Sequence, residues 1–153
     1  GDRPAALIAA GADTVYVIEH PLLGSFDPLV HKKALAELVR ERKPQVMLFG
    51  ASPLGRELAP RVAYACLSGL TADCTRLEIG DFSKGSTNLT AILKQTRPAL
   101  GGNVMATIMT KDSPTQMAWE LLSATIWRIF FPPEPITSRT FSGRTFTVVI
   151  RGA

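Results

Sequence analysis

"QVMLFGASPLGRELAPRVAYACLSGLTADC", residues 45–74, decides how this chain folds. Its opening run, residues 46–49, is apolar throughout and of strand length, the pattern of a parallel strand covered on both faces, and it predicts a central strand. Ser52 and Pro53 then supply an N-cap and a first helical residue. The helix they start is expected to kink or break in its first turns at Pro60. After Gly69 the run "GLTADCTRLEI", residues 69–79, alternates enough to read as one further strand. Strand, tight turn, helix and strand in succession predict a doubly wound α/β sheet.

The flanks continue the pattern. Upstream, "TVYVIEH" (14–20) has the β-branched and aromatic composition of a strand, and "PLLGSFDP" (21–28) reads as a loop. Leu29, Val30, Ala34, Leu35, Leu38 and Val39 then recur at helical spacing behind Asp27 as N-cap and Pro28 at the first helical position; this helix should stop before Pro44. The opening "RPAALIAAGA" (3–12) reads as the end of a helix capped by Gly11, with no strand ahead of it, so the numbered chain is expected to begin inside a domain. Downstream, "DFSKGSTN" (81–88) carries turn chemistry, and "LTAILKQTR" (89–97) and "GGNVMATIM" (101–109) predict two more strands in an antiparallel-looking region. From Trp119 onward the periodicity is lost.

Bulk properties bound the function classes. A chain of 153 residues with 46% hydrophobic content can bury one core. Seventeen Lys and Arg against 13 Asp and Glu give a net charge of +4, but the basic residues are scattered over expected helix surfaces, so a solvated face is expected and nucleic acid is not. Cys66 and Cys74 are too few for a disulfide framework and point to a reducing compartment. "ELLSATIWRIFF" (120–131) is too short to span a membrane and carries Arg128.

Candidate chemistry centres on three motifs. "GASPLGRE" (50–57) places Gly50 and Gly55 as in a phosphate-binding loop, yet Arg56 and Glu57 stand where Lys and Ser or Thr are needed. Either a tight strand-to-helix turn or a weak anion or adenine-nucleotide site between Ser52 and Arg56 remains open. In "TADC", Cys74 has the carboxylate of Asp73 beside it, which disfavours a thiolate, and no His is near in sequence; a small buried hydrophobe is expected, following Thr71. Arg97, ahead of Pro98 and the flexible Gly101 and Gly102, is placed either to project toward a partner or an anion or to form a structural salt bridge, for which Asp73 is the candidate partner. No dinucleotide fingerprint occurs, and the isolated His20 and His31 exclude a metal site of familiar spacing. These residues form no catalytic constellation.

Residues 43–79 and 94–109, with "GADTVYVIEHP" (11–21), resemble the N-terminal domain of the electron transfer flavoprotein alpha subunit, the family that includes the FixB proteins. The likeness lies in the run ending Phe-Gly-Ala at Ala51, in residues 55–61 and 69–74, and in residues 96–103, in the same order, and extends from about Ala5 to Met117. It marks Gly50, Ser52, Gly55, Arg56, Thr71, Asp73, Cys74, Arg97, Gly101, Gly102 and Asn103 as motif positions with structural or interface roles. It implies a three-layer α/β/α fold with a mostly parallel, Rossmann-like sheet, truncated here at its N-terminal edge. It further implies a beta subunit as partner, electron carriage from acyl-CoA or related dehydrogenases to a quinone oxidoreductase, as in fatty acid β-oxidation, and a place in the bacterial cytoplasm or mitochondrial matrix. FAD in the intact family protein is held by a separate C-terminal domain whose Gly-x-Ser/Ala-Gly-x-x-Gln-His signature has no counterpart here, so no FAD is expected on this chain alone. After "PTQMA" the family pattern Thr-Val-Arg-Pro-Gly is replaced by "WELLS", which divides the chain into a family-like domain, 1–118, and a divergent tail, 119–153.

Overall fold

The computed structural model describes residues 3–9, 12–99, 104–120 and 146–151. In chain order these form α1 (Arg3–Ala9), β1 (Thr14–Glu19), a 3-10 turn (Pro21–Leu23), α2 (Pro28–Arg42), β2 (Val46–Gly50), α3 (Pro53–Ala65), β3 (Leu70–Cys74), β4 (Arg76–Lys84), β5 (Thr87–Pro98), β6 (Met105–Ile108), β7 (Gln116–Glu120) and β8 (Phe146–Arg151). The proposed cap Gly11 lies outside the described residues.

Local chemistry sets the helix ends. Asp27 caps α2 by accepting the Leu29 and Val30 N–H groups at 2.7 and 3.1 Å, and Pro28 fills the first helical position. His31 sits buried in the first turn, its Nδ1 donating to the Asp27 carbonyl at 2.8 Å and its ring tilted against Phe26. Lys43, left-handed at φ 47°, ends α2 with its N–H on the Val39 carbonyl, and Pro44 forbids continuation. Pro60 does not break α3 into two elements: the helix runs unbroken from Pro53 to Ala65. Pro60 is exposed, so the helical carbonyl it leaves without an N–H donor can turn to water.

The class is α/β. Strands β2, β7 and β3 form a parallel sheet in that order, with Met47 opposite Met117 and Thr71 opposite Ala118. The strand expected at the centre, β2, therefore has β7 as its one described neighbour, and β7 takes the middle place. A second parallel pair joins β1 to β8, with Thr14 opposite Phe146. Strands β4, β5 and β6 make an antiparallel sheet.

Two corrections follow for the middle of the chain. The single strand expected over 69–79 divides at Thr75, because β3 pairs with β7 while β4 turns away to pair with β5. The turn expected over 81–88 shrinks to Gly85 and Ser86, with Gly85 at φ 59°, and residues on both sides join the hairpin. Asp81 makes the longer pairing feasible: its carboxylate accepts the N–H of Ala91, a left-handed residue at φ 51°, where the register shifts between Gly80 and Phe82.

Packing assigns a cover to each face of the parallel sheet. On one, Leu35 and Val39 of α2 and Leu58, Ala59, Val62 and Ala63 of α3 bury Phe49 and Met117. On the other, Leu77 and Leu93 of the antiparallel sheet close over Cys74 and Ala118, with Val46 and Leu48 beside them. The alternation of β2 between the two clusters explains its unbroken apolar sequence: both faces are covered, one by helices and one by a sheet. The Arg40 guanidinium donates to the Ala65 carbonyl at 2.8 Å, fastening the C-terminal end of α2 to that of α3.

Candidate functional site

Parallel strands β2, β7 and β3 end together, and α3 begins where β2 stops. This C-terminal edge is where open α/β sheets hold ligands. It gathers Gly50, Ser52, Gly55, Arg56 and Asp73 from the sequence motifs and adds Trp119.

The turn from Gly50 into α3 is tight for a steric reason. A Cβ on Gly55 would overlap the Gly50 carbonyl oxygen and stand 3.1 Å from its carbon. Backbone therefore rests on backbone, and no side chain larger than hydrogen fits. Ser52 spends its hydroxyl on the Gly55 N–H at 3.1 Å, as an N-cap does.

Arg56, one residue further along α3, turns back onto the edge. Its Nε donates to the Ala51 carbonyl at 3.2 Å and its Nη2 lies 3.2 Å from Asp73 Oδ1. Asp73 reaches it because β3 bulges: Asp73 is left-handed at φ 54°, and the pairing with β7 shifts between Thr71 and Cys74. Trp119 completes the arrangement by donating its indole Nε1 to the same carboxylate oxygen at 3.3 Å. One carboxylate oxygen thus joins α3, β3 and β7. Both Arg56 and Asp73 remain nearly half exposed, so the pair is screened by water.

The expected pairing of Arg97 with Asp73 is not formed. The bulge turns Asp73 toward the first turn of α3, where Arg56 meets it, whereas Arg97 lies opposite Ala106 in the antiparallel sheet and directs its Nε to the Pro98 carbonyl at 3.4 Å. Gly101, Gly102 and Asn103 lie outside the described residues; on either side of them the Ala99 N–H donates to the Val104 carbonyl at 2.7 Å. Cys74 is 1% exposed and Thr71 2%, which removes both from the surface; the thiol of Cys74 points to the Thr71 carbonyl. Cys66 is half-buried near Arg40, and burial pushes its thiol up against the smaller opposing pull of that guanidinium.

Chemically the edge is self-satisfied. The guanidinium is turned to a carbonyl and a carboxylate, the carboxylate to a guanidinium and an indole, and the hydroxyl to a helix N–H. Among the described residues no group of three His, Cys, Asp or Glu is placed to hold a metal, and no helix is long and apolar enough to cross a membrane. Sequence reading missed Trp119, because residues 116–120 are a short run at the start of a stretch without periodicity; the apolar Met-Ala-Trp triplet was the available signal.

Comparison with known proteins identifies this architecture. The model of the electron transfer flavoprotein domain matches residues 3–120. The chain is 48% identical over 112 residues, 73% of its length, to the electron transfer flavoprotein subunit alpha of Thermoanaerobacterium thermosaccharolyticum, and covers 32% of that protein. It is 44% identical over 108 residues to Protein FixB of Azorhizobium caulinodans, covering 71% of this chain and 27% of that one. It is 43% identical over 114 residues to the acryloyl-CoA reductase electron transfer subunit beta of Anaerotignum propionicum, covering 65% of this chain and 31% of that one. The chain thus spans about a third or less of these relatives' length. The match runs through β7 and so takes in Gly55, Arg56, Asp73 and Trp119 together, and on it the chain belongs to the electron transfer flavoprotein family.

Proposed function

We propose that this chain is the N-terminal scaffold and subunit-contact part of an electron transfer flavoprotein alpha subunit. In this reading it acts with a beta subunit in a heterodimer that carries electrons from acyl-CoA or related dehydrogenases to a quinone oxidoreductase of the respiratory chain. The setting is fatty acid β-oxidation in a bacterial cytoplasm or mitochondrial matrix, and the chain is an electron-transfer component without catalytic residues of its own. The observation that carries the scaffold role is the closure of the C-terminal edge: Arg56, Asp73 and Trp119 satisfy one another.

The same closure bears on the flavin. FAD needs donors for a pyrophosphate and room for backbone approach, but the Ser52 hydroxyl and the Arg56 guanidinium are engaged with protein groups and Gly55 rests on the Gly50 carbonyl. The residues of this edge do not fit FAD. The motif positions, Gly101, Gly102 and Asn103 included, are assigned structural or interface roles.

Purification of the chain alone and its mixing with an electron transfer flavoprotein beta subunit tests the reading. The expected result is a colourless preparation that co-elutes with the beta subunit in gel filtration. A yellow chain with near-stoichiometric FAD, or no association at equal micromolar concentrations, overturns it. An adenine-nucleotide-binding domain is the second reading, favoured by the placement of the α3 N-terminus at the C-terminal edge. Equilibrium dialysis with AMP and ATP decides between them, since the scaffold role predicts no retention of either.

A further inference from the structure

Between the parallel sheet and the antiparallel sheet lie two buried polar side chains that the apolar packing does not explain. Gln95 is 0% exposed, and neither its Oε1 nor its Nε2 has a hydrogen-bond partner among the described residues; Thr71 is 2% exposed, and its Oγ1 has none among them either. A primary amide hidden from water without partners is costly, and folded proteins rarely tolerate it.

Strand geometry places both side chains in one layer. Leu93 packs with Cys74 and Ala118 beneath the antiparallel sheet, and Gln95, two residues further along β5, shares its face. Gln95 is flanked by Leu77 on β4 and Ile108 on β6, so it stands in the middle of its sheet. On β3, Leu70 turns toward the helices, which sends its neighbour Thr71 to the opposite face, beside its register partner Ala118. The two strands meet where Thr75 donates its N–H to the carbonyl of Thr96, the residue after Gln95, at 2.9 Å. Thr71 and Gln95 therefore look into the same interlayer from opposite sheets. Thr110, whose Oγ1 is also buried without a partner, sits beside Gly69 and is a separate case.

We propose that Gln95 and Thr71 together hold one internal water molecule that joins the antiparallel sheet to the parallel sheet. The amide oxygen and amide nitrogen of Gln95 and the hydroxyl of Thr71 give it three polar partners, within the two to four that buried waters adopt. Such a water explains why residues of these types stand beside the buried apolar cluster of Leu77, Leu93, Cys74 and Ala118. It adds to the direct polar link between the two sheets, where the Leu93 N–H of β5 donates to the Gln116 Oε1 of β7 at 2.9 Å.

Two measurements on the whole chain test this. In water-selective NMR, the Gln95 side-chain amide protons should show cross-peaks to a long-lived water. In urea unfolding, Thr71→Val and Gln95→Met should each lower the midpoint, and the double variant should recover toward the parent, because it removes every group the water served. If both single variants raise the midpoint additively, the groups are orphaned and the water is absent. Coupling between the two substitutions without a water cross-peak means a direct amide–hydroxyl bond, and also overturns the proposal.

Discussion

Gly55 lies so close under Gly50 that a Cβ on it would overlap the Gly50 carbonyl oxygen. The contact joins the first turn of α3 to the last residue of β2, and both partners are backbone, so neither can rotate away. Gly55→Ala should therefore destabilise the fold by roughly 1–3 kcal/mol, the usual cost of overpacking, despite the better helix propensity of alanine. Gly80→Ala is the control, because a Cβ there meets the flexible end of Lys94 at 3.3 Å. Urea midpoints of the two variants, compared with the parent, check the contrast.

Arg56→Ala breaks the pair with Asp73 and the bond to the Ala51 carbonyl. Since both charged side chains are nearly half exposed, the loss should stay near or below about 1 kcal/mol and shrink in high salt. Arg97→Ala should be close to neutral, as its guanidinium reaches a neighbouring carbonyl and no carboxylate among the described residues. Chemical unfolding at low and high ionic strength separates the two: a salt-sensitive loss at Arg97 and none at Arg56 would reverse the assignment.

What the sequence made legible was local. Asp27 with Pro28 and Ser52 with Pro53 announce the helices they cap, because an N-cap acts on N–H groups two and three residues away. The motif positions gathered at the edge, Gly50, Ser52, Gly55, Arg56 and Asp73, were likewise legible as a set. Their partners were not. Asp73 takes Arg56 instead of Arg97 because a single bulge redirects its side chain, and no periodicity encodes a bulge. The break at Thr75 was hidden for the same reason: β3 and β4 both read as strand, and only long-range pairing sends them to different sheets. The middle place of β7 is likewise a property of strand order, which five residues cannot announce.

Asp27 offers a pH test. The Val30 and Leu29 N–H groups that it accepts hold its carboxyl below the usual value, against a smaller opposing effect of desolvation. A carboxyl depressed in the folded state contributes stability that is present above its unfolded pKa and is lost as pH falls through the folded one. Asp27→Asn keeps an acceptor at the cap but cannot titrate. Its unfolding midpoint should therefore depend less on pH than the parent's in the acid range, with the two curves converging at the lowest pH, as followed by circular dichroism in urea from neutral pH downward.

Truncation distinguishes a dispensable tail from a structural one. Ending the chain at Ala118 removes Trp119 and Glu120, the residues opposite Phe49 and Gly50 on the middle strand of the parallel sheet. It also takes away the indole that donates to Asp73 and packs against the helix-side core. Ending the chain at Glu120 keeps all of these and loses β8, whose described partner is β1 alone. The cut after Ala118 should cost about 2 kcal/mol or more beyond the cut after Glu120, in line with deleting a large, partly buried aromatic side chain. Trp119→Phe in the full chain isolates the hydrogen bond from the packing and should cost less than the shorter truncation. Urea midpoints of the three variants check the order; equal midpoints for the two truncations would show that β7 is complete without its last two residues.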